Sequence, residues 1–186
     1  MSIWKFLGLE SKGAEPEPER GGPSSPETET VRKIVEALDR LEADRARYIA
    51  AFAYLLGRVA HADHHISEEE TREMERIVME RGGLPEEQAI LVVQVAKTQN
   101  RLFGGTENFL VAREFGKIAS REQQLALLEC LYSVCSADRS ISTVEDNEIR
   151  KISRELKLSH QDFIGVRLHY REHLAVLKKL SKPDST

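Results

Sequence analysis

From Thr30 onward the apolar positions recur with helical period. Val31, Ile34, Val35, Leu38 and Leu41 follow the spacing i, i+3, i+4, i+7, i+10, and Phe52, Leu55, Leu56 and Val59 repeat it in the next segment. Nowhere do apolar and polar residues alternate as a half-buried strand requires. Helix starts are marked by Ser67 with Glu70, Ser120 with Gln123, Ser142 with Glu145 and Ser159 with Asp162. In each pair a hydroxyl and an acid or amide three residues on satisfy each other's orphan backbone N–H. Leu84-Pro85 adds a start, and Gly82-Gly83 and Gly104-Gly105 mark stops. The pattern predicts an all-α fold with helices over 30–43, 45–62, 67–81, 85–99, 106–119, 121–137, 142–156 and 160–180. The number is seven to eight, depending on whether the first two fuse.

Within this array the chain repeats itself. Phe52, Leu56, Val59, Ala62, Asp63, Ile66, Ser67, Glu70, Glu73, Met74 and Ile77 correspond to Leu127, Leu131, Val134, Ala137, Asp138, Ile141, Ser142, Glu145, Glu148, Ile149 and Ile152, at a constant offset of 75. Each copy is a helix, a corner ending in Asp, and a second helix opened by Ser-x-x-Glu. The expectation is two pseudo-repeated helical hairpins packed around a shared core, with the Phe52–Val59 stripe against the Leu127–Val134 stripe. The two corners, ADHHISEEE (62–70) and ADRSISTVE (137–145), then occupy equivalent places on the surface.

The repeated A-D-x-x-I-S-x-x-E-x-x-E, preceded by LLGRV or CLYSV and followed by an amphipathic helix, resembles the TerB-like domain of tellurite-resistance proteins, which also occurs in DjlA co-chaperones. The resemblance covers roughly residues 48–177. It implies an all-helical, non-enzymatic domain linked to stress or metal-oxyanion resistance, with acidic corner residues as a metal site. It does not imply J-domain activity, because the chain has no His-Pro-Asp triplet. The family pattern commonly has Gly directly after the Asp, where His64 and Arg139 stand here. Glycine takes left-handed backbone that other residues resist, so a different corner geometry is expected.

On the residues alone, the corners admit two readings. Asp63 and Asp138 end helices, where free carbonyls favour a cation, and Glu70 and Glu145 arrive from the next helix. Together they offer oxygen ligands for a divalent cation of the calcium or magnesium type. In the competing reading Glu70 and Glu145 are spent as capping residues. The chain is not an EF-hand: counting from Asp63, Glu68 stands where the loop needs Gly and Met74 where it needs Glu. His61, His64 and His65 suggest zinc, but the second corner has Ser136, Arg139 and Ser140 at those places. His169 and His173 form an i, i+4 pair without the Glu placement of a His-Glu-x-x-His site. They read as an exposed polar face.

Composition narrows the function classes. The formal net charge of −4 over 186 residues, with no basic stripe, gives nucleic acid no electrostatic hold. No apolar run approaches the roughly 20 residues that span a bilayer. Cys130 and Cys135, the only two cysteines, are five apart on one helix and cannot pair, which suits a reduced, cytoplasmic chain. Both fall on or beside the apolar face as core thiols, and with no strand there is no phosphate loop after one. No enzyme and no certain cofactor are expected.

Four of the six prolines lie in residues 11–29, which otherwise hold no apolar side chain larger than Ala. That composition predicts a disordered linker over 11–29, a helical domain over 30–180 and a short tail over 181–186. Ahead of the linker, residues 1–10 (MSIWKFLGLE) form a short apolar peptide whose core is too short for a secretory signal. Ile3, Trp4, Phe6 and Leu7 make it a candidate contact for a protein partner or for peripheral attachment to the inner membrane. The alternative to the metal reading is thus a metal-independent scaffold that recruits through this peptide.

Overall fold

The structure, a computed structural model, describes residues 26–60, 68–102, 108–137 and 139–176. Among them are eight α-helices and no strand: α1 (Pro26–Asp39), α2 (Ala43–Ala60), α3 (Glu68–Glu80), α4 (Glu86–Leu102), α5 (Asn108–Ile118), α6 (Arg121–Cys135), α7 (Thr143–Glu155) and α8 (His160–His169). The all-α expectation holds. α1 and α2 do not fuse: the chain turns after Asp39, with the Leu41 N–H on the Leu38 carbonyl at 3.1 Å. α1 starts at Pro26, earlier than the period suggests, so residues 26–29 are helix and not linker. Proline's missing N–H costs nothing in a first turn.

The capping signals place the starts of α6, α7 and α8. Ser120, Ser142 and Ser159 each accept from the backbone N–H three residues on, and the side chains of Gln123, Glu145 and Asp162 return the bond. Gly82 and Gly83 end α3 for separate reasons. A Cβ at Gly82 would come within 2.5 Å of the Val78 carbonyl oxygen and 3.0 Å of the Phe52 ring, and Gly83 takes φ +64.

α2 is the axis of the molecule. The apolar period predicts one buried stripe, but every residue from Tyr48 to Gly57 is buried, because α2 is walled by α1, α4, α5, α6 and α7. Large side chains (Ile49, Phe52, Leu55, Leu56) fill the stripe while Ala46, Ala50, Ala51 and Ala53 let neighbouring helices close on the other faces. A helix apolar on all sides is stable only when enclosed. Tyr48, Phe52 and Phe115 join α2 to α5 with ring centroids 5.2 to 6.2 Å apart.

The two copies interlock. α2 rests on α6, and each also touches the second helix of the other copy, α2 on α7 and α6 on α3. A pseudo-two-fold axis demands this exchange. The repeat extends past the hairpin to a third helix: α4 packs back on α2 and α3, and α8 on α6. The turns into these helices each hold one left-handed residue, Gly83 (φ 64) and Lys157 (φ 62), one position out of the register of 75. Sequence predicted both helices but concealed their equivalence, because residues 86–95 and 161–170 share no letter at the offset of 75.

Arg58 fastens one copy to the other. Its side chain is 3% exposed, and its Nε and Nη1 donate to Glu148 Oε1 (3.0 Å) and Glu155 Oε2 (2.7 Å) of α7. The register equivalent of Arg58 is Ser133, and the matching Glu73 and Glu80 bind Arg76 of their own helix at 3.0 and 2.6 Å. The same two glutamates are thus served across the interface in one copy and locally in the other.

The final helix is shorter than predicted. α8 ends at His169, a 3₁₀ turn spans Arg171–His173, and Leu174 is extended (φ −69, ψ 115). The chain then lies beside the second corner: the Ile141 N–H donates to the His173 carbonyl (2.8 Å) and the Ala175 N–H to the Ile141 carbonyl (2.9 Å). No Gly or Pro announces this stop. The buried Tyr170 ring stacks on Tyr132 at 5.4 Å and holds the chain in place of a continued helix.

Replacing Arg58 by Ala leaves the buried Glu155 carboxylate without this partner. Loss of about 3 kcal/mol is expected, to be read from the midpoint of denaturant unfolding at unchanged m-value.

Candidate functional site: the second helix corner

Of the predicted metal ligands, the structure describes Glu70 and Glu145; Asp63 and Asp138 lie outside the described residues. So do His61, His64 and His65, and the apolar contacts Ile3, Trp4, Phe6 and Leu7. Glu70 is exposed in the first turn of α3. Glu145 accepts the Ser142 N–H on Oε2 at 2.7 Å, while Ser142 Oγ accepts the Glu145 N–H at 3.2 Å. The capping role is therefore filled in the second copy, and it takes one carboxylate oxygen. Among the described residues, no three His, Cys, Asp or Glu side chains come together.

Arg139 adopts φ +64, the left-handed conformation that the Gly of the TerB pattern takes readily, and its N–H donates to the Ser136 carbonyl at 2.8 Å. For an L-residue this costs roughly 1 kcal/mol. Neighbouring contacts hold it: Ile141, two residues on, is buried, and both of its backbone groups are paired with the segment 173–175.

One residue past Glu145 lies a polar group that sequence reading missed. Asp146 is 5% exposed. Arg167 grips it with two parallel bonds, Nε to Oδ1 at 2.8 Å and Nη2 to Oδ2 at 2.9 Å, and the Tyr132 hydroxyl donates to Oδ1 at 2.8 Å. Burial alone would raise the Asp146 pKa, but the bonds from Arg167 and Tyr132 outweigh it and hold the carboxyl below its usual 3.8. The same burial, with Asp146 as acceptor, pushes the Tyr132 phenol up. The register equivalent of Asp146 is Thr71, also buried, whose Oγ1 accepts from Lys97 Nζ at 2.8 Å. Each copy thus buries a polar group at this position and supplies a partner to it from its third helix. A polar pair, Thr71 and Asp146, in register on an otherwise apolar face was the available signal.

From Tyr132 the contacts run outward. Tyr170, stacked on it, donates to Glu129 Oε2 (2.8 Å) and shares a hydrogen bond with Ser133 Oγ (2.6 Å). Burial and Glu129 push its phenol up to about 12, against a smaller opposing pull from Ser133. Glu129 Oε1 in turn meets His169 Nδ1 at 2.8 Å. His169 ends α8 and His173 sits in the 3₁₀ turn, so the expected pair on one helix face does not form. Both cysteines are buried and form no disulfide, and burial pushes the Cys130 thiol up to about 12, so that this sulfur stays protonated at neutral pH.

The described residues form an all-helical protein of two interlocked three-helix units. The sequence profile of the tellurite resistance protein TerB matches residues 48–168, from α2 to α8 and across both copies. The chain belongs to the TerB family. Comparisons with curated proteins and with solved structures gave no match. No helix among the described residues is long and apolar enough to cross a membrane.

Asp146 yields a pH prediction. A carboxyl held below 3.8 stabilises the fold fully at pH well above that value and loses its contribution as pH falls through the lowered folded value. Asp146→Asn is expected to cost about 2 kcal/mol at pH 7. In urea melts from pH 7 to pH 2, the gap between parent and variant should close only at the acid end.

Proposed function

We propose that the protein is a non-enzymatic TerB-family binding module of the tellurite-resistance type of stress response, whose helix corners take a divalent cation. Asp63 with Glu70, and Asp138 with Glu145, supply the oxygen ligands, which suit calcium or magnesium. The observation that carries this reading is Glu145: its capping bond uses Oε2, at 2.7 Å from the Ser142 N–H, and Oε1 accepts no hydrogen bond from the described residues, so one carboxylate oxygen is left for an ion.

The two roles of Glu145 separate experimentally. Glu145→Gln preserves the capping box, which takes Glu or Gln at that position, and removes the ligand charge. With chelator-stripped protein, calcium or magnesium at a hundredfold excess over its dissociation constant should stabilise the parent by about 2.7 kcal/mol. Glu145→Gln should keep the ion-free melting midpoint and need more ion for the same shift, and the Asp63→Asn, Asp138→Asn double variant should lose the shift. If calcium, magnesium, manganese and zinc all leave the parent's midpoint unmoved, the cation reading fails. Function then passes to recruitment of a protein or membrane surface through Ile3, Trp4, Phe6 and Leu7.

A further inference from the structure

A cleft of about 170 Å³ opens between the C-terminal half of α7 and the start of α8. Arg150, Ser153, Arg154, His160, Leu158 and Phe163 line it, and no carboxylate does. It is separate from the corner: Glu145 and Arg154 are nine residues apart on one helix, about 14 Å along its axis.

Arg150 is the unusual member. Its guanidinium lies 5.5 Å from the centroid of the Phe163 ring, so the aromatic face fixes its position. Its Nε is buried and has no acceptor, and a buried guanidinium donor without a partner calls for a reason. The acid whose charge it feels, Asp146, spends both oxygens on Arg167 and Tyr132. Arg154 is exposed at the cleft mouth. Alone, a basic residue in the last turn of a helix only answers the dipole. Facing the same cleft as Arg150, Ser153, Ser159 and His160, it completes a lining that holds two arginines and no carboxylate.

The repeat provides an internal control. At the offset of 75, Arg150, Ser153 and Arg154 correspond to Glu75, Val78 and Met79. The shared fold therefore does not require this basic set, which belongs to the second copy alone. Two guanidinium groups with an imidazole and a hydroxyl suit a compact, multiply charged oxyanion, since arginine's fork matches phosphate oxygens in pairs. Phe163 and Leu158 give the cleft an apolar wall.

We propose that this cleft binds a phosphate dianion, either free or carried as a phosphomonoester whose organic part rests on Phe163 and Leu158. The test is calorimetric titration of the full chain with inorganic phosphate and, separately, with phenyl phosphate. Saturable binding is expected, weakened about tenfold or more in Arg154→Gln and in Arg150→Gln. The control Arg76→Gln removes an equal charge from an exposed, glutamate-paired arginine on α3 and should bind as the parent does. Tighter binding of phenyl phosphate assigns the phosphomonoester, and equal affinities assign free phosphate. No saturable binding of either probe to the parent, or equal weakening in Arg76→Gln, overturns the proposal. Should Arg150→Gln fail to fold, Arg154→Gln and His160→Gln carry the test, because both side chains are exposed.

Discussion

Neither helical hairpin can bury its own apolar surface, and everything else in this fold answers that constraint. α2 lies on α6, and each leans on the second helix of the other copy, so the core belongs to neither half. The alanines of α2 make the arrangement possible by letting five helices approach one. Hydrophobic burial supplies the drive, but it has no direction. Register comes from the polar groups carried inward, Arg58 on Glu148 and Glu155, Asp146 on Arg167 and Tyr132. A slip of either helix would strand a charge.

Duplication explains both the likeness and the difference between the halves. The core positions Phe52, Leu56, Val59, Met74 and Ile77 remain apolar at the offset of 75, whereas Tyr54 and Val78 correspond to the polar Glu129 and Ser153. Thr71 against Asp146 and Arg58 against Ser133 are the informative pairs: one structural need, met by different chemistry in each copy. Arg139 takes a left-handed conformation that glycine adopts more readily. The second copy carries both the capping box of Glu145 and the basic cleft, and α7 joins them.

Features set by local spacing were legible in the chain. Ser120, Ser142 and Ser159 announce their helices because a capping box needs only four consecutive residues, and the repeat shows because A-D-x-x-I-S-x-x-E recurs at one offset. Features set by tertiary contact were not. The enclosure of α2 rests on alanines, which read as neutral until neighbours close on them. The end of α8 depends on Tyr170 stacking on Tyr132, with no breaker in the sequence. Asp146 looks like one more acid in a helix's first turn until Arg167, twenty-one residues on, is brought to it. The cleft was hidden for the same reason, since Arg150 and Phe163 meet only when α8 folds back.

The central claim is that two interlocked copies form one cooperative unit, and native-state hydrogen exchange tests it most directly. The slowest amides of α2 and of α6 should exchange with the same free energy, equal to that of global unfolding, and with the same denaturant dependence. If the amides of one copy open at distinctly lower free energy while the other copy stays protected, the halves are separate units and the account of a shared core is wrong.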